Sequence, residues 1–266
     1  MLTGGINPFH PFILLNLQQD QKSSLIGTKC SPLIMAYVWI SLISAASVVF
    51  ALYWYVLEWA EVLFLNILGF RVMFRNKEKD VVLTIDDAPY RTETFGAILR
   101  VLDQHYVKAT FFVISSQIND MNKPMLIQAV QRGHHLANHG QIDRKHANLS
   151  RNELSLELCH CERAIADIYK AANRPLPHVK YYRPGCGVVN ETINQYAREN
   201  GYTVVLGTNY PSDPYISSAM INKWYIMSHL KAHDIIILHD RPWTPALLQV
   251  LLPAIKARKH NVTSLI

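Results

Sequence analysis

From residue 81 onward, short runs of apolar and β-branched residues alternate with longer amphipathic segments. The short runs are typical of buried strands, and the longer segments place apolar residues three and four positions apart, as helices do. Because parallel strands must be joined by a crossover, usually a helix, this alternation predicts a parallel α/β fold. Seven predicted strands favour a distorted (β/α) barrel. These strands are VVLTI, KATFFVI, HHLAN, VKYYRP, YTVVLGT, DIIILHD and NVTSLI.

Helices are predicted between these strands. The longest, over residues 149–169, begins with Ser150 and Glu153, the spacing of a capping box in which each side chain bonds the other residue's backbone N–H. The other predicted helices cover residues 94–105, 124–133, 191–200 and 247–258.

A long uncharged segment precedes this domain. No charged residue occurs between Ser31 and Leu57, a stretch longer than the roughly 20 apolar residues that cross a bilayer as a helix. A buried core helix is the alternative, but a fully apolar segment of this length is rare in soluble folds. Aromatic residues at its C-terminal end are typical of a membrane interface, and these are Tyr53, Trp54, Tyr55 and Trp59.

This pattern predicts a single-pass membrane protein. Its predicted parts are a flexible tail at 1–30, a transmembrane helix at 31–57, a juxtamembrane linker at 58–79 and a folded α/β domain at 80–266. Basic residues flank the span on both sides, so the positive-inside rule leaves the orientation open. The N-x-S/T triplets at Asn148, Asn190 and Asn261 favour a lumenal or extracellular C-terminal region.

The charge and cysteine content indicate which kinds of binding partner and scaffold are expected. The formal net charge is +6, but the lysines and arginines are scattered, which argues against a nucleic-acid partner. A mildly basic surface suits an anionic membrane or a cell-wall polymer. The chain has 4 cysteines and no CxxC pair, so it is not a disulfide scaffold. Nothing in the sequence indicates the oligomeric state.

Polar residues with catalytic side chains follow the predicted strands. In a parallel α/β barrel the active site forms at the carboxyl ends of the strands. Because several such ends carry Asp, His or Arg together, they predict one joint site. The residues are Asp86 and Asp87, His139, Arg183, Asp213, and His239 with Asp240.

The spacing of three residues points to a metal. His139, Asp143 and His146 stand at i, i+4 and i+7, so all three share a face if this loop is helical. Imidazole nitrogen with carboxylate oxygen suits zinc or a similar divalent ion. Because successive side chains of a strand point in different directions, Asp86 and Asp87 are expected to do different work, one on the metal and one as a base.

The quoted segments resemble the polysaccharide deacetylases with a NodB-homology domain, or carbohydrate esterase family 4, including chitin deacetylases. LTIDDAP is similar to the family's first motif, T-F-D-D-G-P, and KATFFV with GHHLANH is similar to the text around the second. YYRPGCG resembles the third motif, R-P-P-Y-G, and IIILHD resembles the fifth, a leucine-rich strand ending in His. The resemblance covers residues 81–266 and implies a NodB-type barrel.

The resemblance implies a role for each matching residue. Asp86 would be the general base, oriented by Arg183, and Asp87 and His139 would bind a divalent metal. Zinc is the expected metal, with cobalt or another divalent ion as alternatives. His239 would be the general acid that protonates the leaving amine.

Further roles follow from the same resemblance. Asp213 would tune the catalytic histidine, and the backbone N–H of Cys186 would form part of the oxyanion hole. The fourth motif is thin, so the aromatic residue that walls the sugar site is not fixed. Tyr210 and Tyr215 are the candidates.

The second motif departs from the family pattern. The family has H-S/T-x-x-H, whereas the fourth residue after His139 is Asp143. The distance to Leu149 and Ser150 matches the family when Asp143 takes the ligand position, and a shifted register uses His146 instead.

The sequence therefore predicts a membrane-anchored, metal-dependent hydrolase that removes N-acetyl groups from a chitin-like glycan and releases acetate. Two other hypotheses stay open, a non-catalytic carbohydrate-binding protein of the same fold and an amidohydrolase of a small non-sugar substrate.

Overall fold

The computed structural model describes residues 36, 37, 39–45, 47, 70 and 72–266. The chain divides into two compact units, Met1–Ala60 and Glu61–Ile266. The fold described below is that of the second unit.

The predicted transmembrane helix lies largely outside the described residues. Its described residues are helical and exposed. Within the part of the chain that the structure describes, no helix is long and apolar enough to cross a bilayer. The predicted tail at 1–30 and most of the predicted linker at 58–79 also fall outside the described residues, so the membrane span and its orientation stay predictions.

The second unit contains one parallel sheet, whose strand order is β1-β6-β5-β4-β3-β2-β7, with β8 paired to β2. All seven predicted strands are present. The sequence did not predict β1, whose two residues pair in parallel with β6. The strands are β1 (Val72–Met73), β2 (Val81–Ala88), β3 (Thr110–Val113), β4 (His135–Asn138), β5 (Lys180–Tyr182), β6 (Tyr202–Val205), β7 (Ile235–His239) and β8 (Val262–Thr263).

Backbone hydrogen bonds continue the sheet from the segment after β6 to β7. The N–H groups of Thr208 and Asn209 donate to the carbonyl of Ile235 at 3.1 and 3.3 Å, and the N–H of Ile237 donates to that of Asn209 at 3.0 Å. The sheet therefore curls back on itself as a distorted barrel, joined at this point by a short irregular segment.

Helices connect most of the strands. The five predicted helices are present, and the capping box of α3 is formed as predicted. The sequence did not predict α5. The helices are α1 (Thr92–Gln104), α2 (Lys123–Gln131), α3 (Arg151–Ala171), α4 (Glu191–Glu199), α5 (Ala219–His229) and α6 (Thr244–Ala257).

The alternation of side chains along β2 positions the site. Every residue of β2 is buried. Val81, Leu83 and Ile85 pack in the large core that includes residues of α1, α2 and α6, whereas Val82 belongs to a separate cluster with residues of β3, β4, β6 and β7. Because side chains alternate along a strand, Asp86 falls on the same face as Val82. A carboxylate thus stands inside the barrel at the end of an apolar strand.

Candidate active site

A cavity of about 450 Å³ opens at the carboxyl ends of the strands. It brings together most of the site residues predicted from the sequence. Those that line it are Asp86, Asp87, His139, Asp143, Arg183, Cys186, Tyr210, Tyr215 and His239. Three others lie outside its wall. Asp213 sits behind His239, His146 stacks on Tyr182 of β5, and Asp240, directly after β7, is fully buried.

Asp86 and Arg183 form a buried ion pair. Arg183 Nη1 lies 2.5 Å from Asp86 Oδ1 and donates to Thr84 Oγ1 at 2.9 Å, and Nε donates to the carbonyl of Val205 at 3.1 Å. The guanidinium also lies over the Phe112 ring, 4.1 Å from its centre. Because both side chains are nearly inaccessible to water, the arginine compensates a charge that burial alone would make costly.

Asp87 faces His139 from the same strand end. Asp87 Oδ1 lies 3.5 Å from His139 Nε2. His139 Nδ1 lies 2.7 Å from the Arg183 carbonyl, so Nδ1 carries a hydrogen and donates it. In the neutral ring this leaves the lone pair of Nε2 free to bind a cation. Burial acts to raise the pKa of Asp87, but the neighbouring histidines and Arg241 hold it well below the usual range.

The backbone at Asp87 is unusual. Its φ is 59°, in the left-handed region that non-glycine residues seldom adopt. When its amide is oriented to satisfy its hydrogen bonds, Gln117 donates to the Asp87 carbonyl at 2.7 Å. A strained conformation held by its surroundings is typical of a functional site.

Arg241 is a site residue that the sequence analysis missed. Its Nη2 lies 2.6 Å from Asp87 Oδ2, and its Nη1 donates to the Asp240 carbonyl at 3.0 Å. The guanidinium lies 4.8 Å from the centre of the Tyr90 ring. The signal available in the sequence was its position directly after His239 and Asp240.

His239 stands on β7 as the cross-strand partner of Asp86. Asp213, which is fully buried, lies 3.0 Å from His239 Nδ1 through its Oδ1. Nδ1 therefore carries a hydrogen, and Nε2 is the remaining ring nitrogen. Burial acts to lower the pKa of His239, but the bond to Asp213 and the charges of Asp86 and Asp87 raise it above its ordinary value.

The loop from His139 to His146 is not helical, so the condition under which the three residues would share one helical face is not met. Gly140 has a φ of +86°, which ends any helix directly after His139. Asp143 is exposed at the cavity wall. His146 is buried, and its Nδ1 accepts from Gly185 N–H at 3.2 Å and lies 2.7 Å from the Tyr182 hydroxyl.

The Asp87 and His139 pair fits a divalent metal. Oxygen and nitrogen ligands of zinc lie about 2.0–2.2 Å from the ion, so two ligands of a tetrahedral site stand roughly 3.3–3.6 Å apart. The observed separation of 3.5 Å between Oδ1 and Nε2 is in this range. Among residues 72–266, no cluster of three His, Cys, Asp or Glu side chains is assembled around a common point. Asp143 stays the predicted third ligand, on the wall of the same cavity.

Three further predicted residues frame the opening. Cys186 is exposed in the turn after β5, with a φ of 62°. The Tyr210 ring lies 5.7 Å from the His239 ring, and Tyr215 is 87% exposed. Their positions agree with a surface that a sugar could contact, and their roles stay predictions.

Sequence comparisons give the site a family context. The profile of the family described as polysaccharide deacetylase matches residues 75–205. A peptidoglycan-N-acetylglucosamine deacetylase of Bacillus cereus is 30% identical over 195 residues, which cover 70% of this chain and 86% of the relative. A chitooligosaccharide deacetylase of Sinorhizobium fredii is 29% identical over 203 residues, covering 70% of this chain and 89% of the relative.

Solved structures show the same fold. A family 4 acetyl xylan esterase of Clostridium thermocellum, in complex with a cobalt ion, superimposes with a TM-score of 0.61 at 27% identity, covering 70% of this chain and 87% of that chain. A CE4 family pseudoenzyme from Bacillus anthracis superimposes with a TM-score of 0.64 at 22% identity, covering 73% of this chain and 66% of that chain. At the lower identity the likeness is one of fold alone.

Proposed function

The chain belongs to the polysaccharide deacetylase family, and from this premise we propose that it removes N-acetyl groups from a glycan and releases acetate. One observation carries the proposal. Asp86 and His239 are paired residues on the adjacent strands β2 and β7, and both line one cavity. A base and an acid thus stand side by side where an amide could enter.

The two residues have different electrostatic surroundings, which supports opposite roles for them in the proposed reaction. Arg183 pairs with Asp86 and fixes the orientation of this carboxylate, which would be the general base. Asp213 favours the protonated form of His239, as a general acid requires. Asp86 would accept a proton from the attacking water, and His239 would donate one to the departing amine. The backbone N–H of Cys186 would donate a hydrogen bond to the oxyanion.

A divalent metal is part of the proposal, with zinc or cobalt as the first candidates. Asp87 and His139 would hold it, with Asp143 as the third protein ligand. When bound, the metal would lower the pKa of water and polarise the amide carbonyl. The cobalt ion in the related acetyl xylan esterase supports this choice.

The substrate class is the next part of the proposal. The named substrates of the relatives, peptidoglycan N-acetylglucosamine and chitooligosaccharides, share an N-acetylglucosamine unit. We assign the chain to a glycan containing this unit, with Tyr210 and Tyr215 contacting the sugar. The predicted membrane helix would anchor the domain on the lumenal or extracellular side, which glycosylation at Asn148, Asn190 or Asn261 would test.

The second candidate is a non-catalytic carbohydrate-binding protein. The observation that favours it is the ligand set, because two metal ligands are assembled and Arg241 already neutralises one of them. The buried base and acid favour the enzyme, since binding alone does not need both.

Acetate release separates the two candidates. The full chain is incubated with chitooligosaccharides or with peptidoglycan, with added Co²⁺ or Zn²⁺ and separately with a chelator. We expect metal-dependent acetate release that falls about 10²–10⁴-fold in Asp86→Asn. Asp120→Asn, which changes an exposed carboxylate outside the cavity, is the matched control. Glycan binding without acetate release in the presence of either metal would reject the enzyme proposal.

A further inference from the structure

Arg241 makes a contact that the assigned roles leave unused. It occupies Oδ2 of Asp87, while Oδ1 of the same carboxylate faces His139. The guanidinium is fixed on two other sides, by the Asp240 carbonyl and by the Tyr90 ring. Its side chain is only 16% exposed, so solvent screens its charge weakly.

The charges around the cavity give this contact a consequence. Asp86 is already neutralised by Arg183, and Asp87 is already neutralised by Arg241. A divalent cation that binds Asp87 is therefore attracted only weakly, because the charge of this carboxylate is already neutralised. The nearby guanidinium also repels the cation. Of the acidic residues lining the cavity, Asp143 is the one left to balance the incoming charge.

Arg241 also orients Asp87, and this effect would strengthen metal binding. Outer contacts to a ligating carboxylate normally favour metal binding. Here Asp87 is also held by its backbone conformation and by the contact of Gln117 with its carbonyl. The orientation that Arg241 adds is thus small, and its charge dominates.

We propose that Arg241 weakens divalent-metal binding at the Asp87 and His139 pair by placing a fixed positive charge on the ligand carboxylate. This inference rests on the metal site of the proposed function. The weakened binding makes the metal exchangeable at this site, because the guanidinium of Arg241 neutralises part of the charge of the Asp87 carboxylate.

The test measures metal affinity and not activity. Dissociation constants for Co²⁺ and Zn²⁺ are determined on the full chain by competition with a chromophoric chelator. We expect Arg241→Met to bind at least tenfold more tightly than the wild type, and Arg241→Lys to stay within about threefold of it. Arg91→Met is the matched control, because Arg91 also lies near the Tyr90 ring but is exposed.

A second neutral variant protects the test against misfolding. Arg241→Gln keeps a donor for Asp87 without the charge, and we expect the same gain in affinity. The gain must disappear in Arg241→Gln combined with Asp87→Ala, which places it at this carboxylate. Equal or weaker binding in both neutral variants, or no binding in any form, would overturn the inference.

The outcome is separable from that of the proposed function. Tighter metal binding by Arg241→Gln, together with no acetate release by the wild type, would support the inference and reject the enzyme. Metal-dependent acetate release by the wild type, together with unchanged metal affinity in Arg241→Gln, would support the enzyme and overturn the inference.

Discussion

Asp213 holds His239 through two hydrogen bonds: its Oδ2 accepts the His239 backbone N–H at 2.8 Å, and its Oδ1 lies 3.0 Å from the ring Nδ1. The carboxylate therefore fixes both the position of the residue and the tautomer of the ring. Trp243 in turn donates from Nε1 to the Asp213 carbonyl at 2.9 Å. The proposed acid is thus supported from behind by a chain of hydrogen bonds through the buried Asp213.

Asp213→Asn is expected to change the pH dependence of acetate release. His239 acts as an acid when protonated, so activity falls as the pH rises through its pKa. Burial lowers that pKa, and Asp213 contributes to raising it. Without the carboxylate the pKa falls, so the alkaline limb of kcat/KM moves to lower pH, and the rate at neutral pH drops by part of the roughly 10²–10⁴-fold that a general acid contributes. An unmoved alkaline limb would reject His239 as the acid.

The ion pair of Asp86 and Arg183 is expected to matter for stability as well as for activity. Arg183→Met leaves Asp86 buried without a partner, which costs about 3–5 kcal/mol of unfolding free energy. Combining it with Asp86→Asn removes the stranded charge and is expected to recover part of that loss. Urea unfolding of the wild type, the two single variants and the double variant measures the cycle. Simple additivity of the two single changes would show that the pair is not coupled.

Substitutions of Asp143 and His146 are expected to have opposite effects on metal affinity and on stability. The comparison decides the register of the second motif. His146→Ala removes a buried ring stacked on Tyr182 and is expected to cost about 2–4 kcal/mol, by analogy with other large-to-small core changes, with little change in metal affinity. Asp143→Ala is expected to weaken metal binding and activity with little change in the stability of the metal-free chain. The reverse pattern in thermal unfolding and metal titration would favour the shifted register.

Asp240 is expected to make the stability fall with rising pH. It is fully buried, its Oδ1 has no hydrogen-bond partner, and burial raises its pKa from 3.8 to about 7. Between these values the native state keeps a proton that the unfolded chain has released, so stability declines from about pH 4 to pH 7. The full contribution is about 4 kcal/mol.

Asp240→Asn should remove this part of the pH dependence. Urea unfolding at several pH values, with a chelator present, measures it in the wild type and the variant. Asp120→Asn, at an exposed position, is expected to leave the profile unchanged. Parallel profiles for the wild type and Asp240→Asn would contradict the prediction.

The fold was predictable where the sequence signal is local. The strand VVLTI is wholly apolar or β-branched, and Ser150 with Glu153 caps α3 as its spacing indicates. The two elements that were missed lack such a signal. Strand β1 has two residues and exists through its pairing with β6, and α5 buries only Asn222 and Ile226, so its sequence has no continuous apolar stripe.

The site residues that end or directly follow a strand were predictable from the sequence. Arg241 was missed because its partner Asp87 is 154 positions away, and only the pairing of β2 with β7 brings them together. The conformation of the loop after His139 was left open because spacing does not reveal that Gly140 adopts a positive φ. A Cβ at Gly140 would lie 2.5 Å from the His146 ring, so tertiary contact decided that loop.

Alkylation of Cys186 is expected to block the cavity. Among the cysteines that the structure describes, Cys186 is exposed, Cys159 is partly buried and Cys161 is buried. An acetamide group on Cys186 would project from the cavity wall and obstruct glycan entry. Iodoacetamide is therefore expected to abolish glycan binding and acetate release by the wild type and by Cys159→Ser, while Cys186→Ser resists. Mass spectrometry identifies the modified thiol. Inactivation of Cys186→Ser at the wild-type rate would show that another cysteine is responsible and that Cys186 does not border the working site.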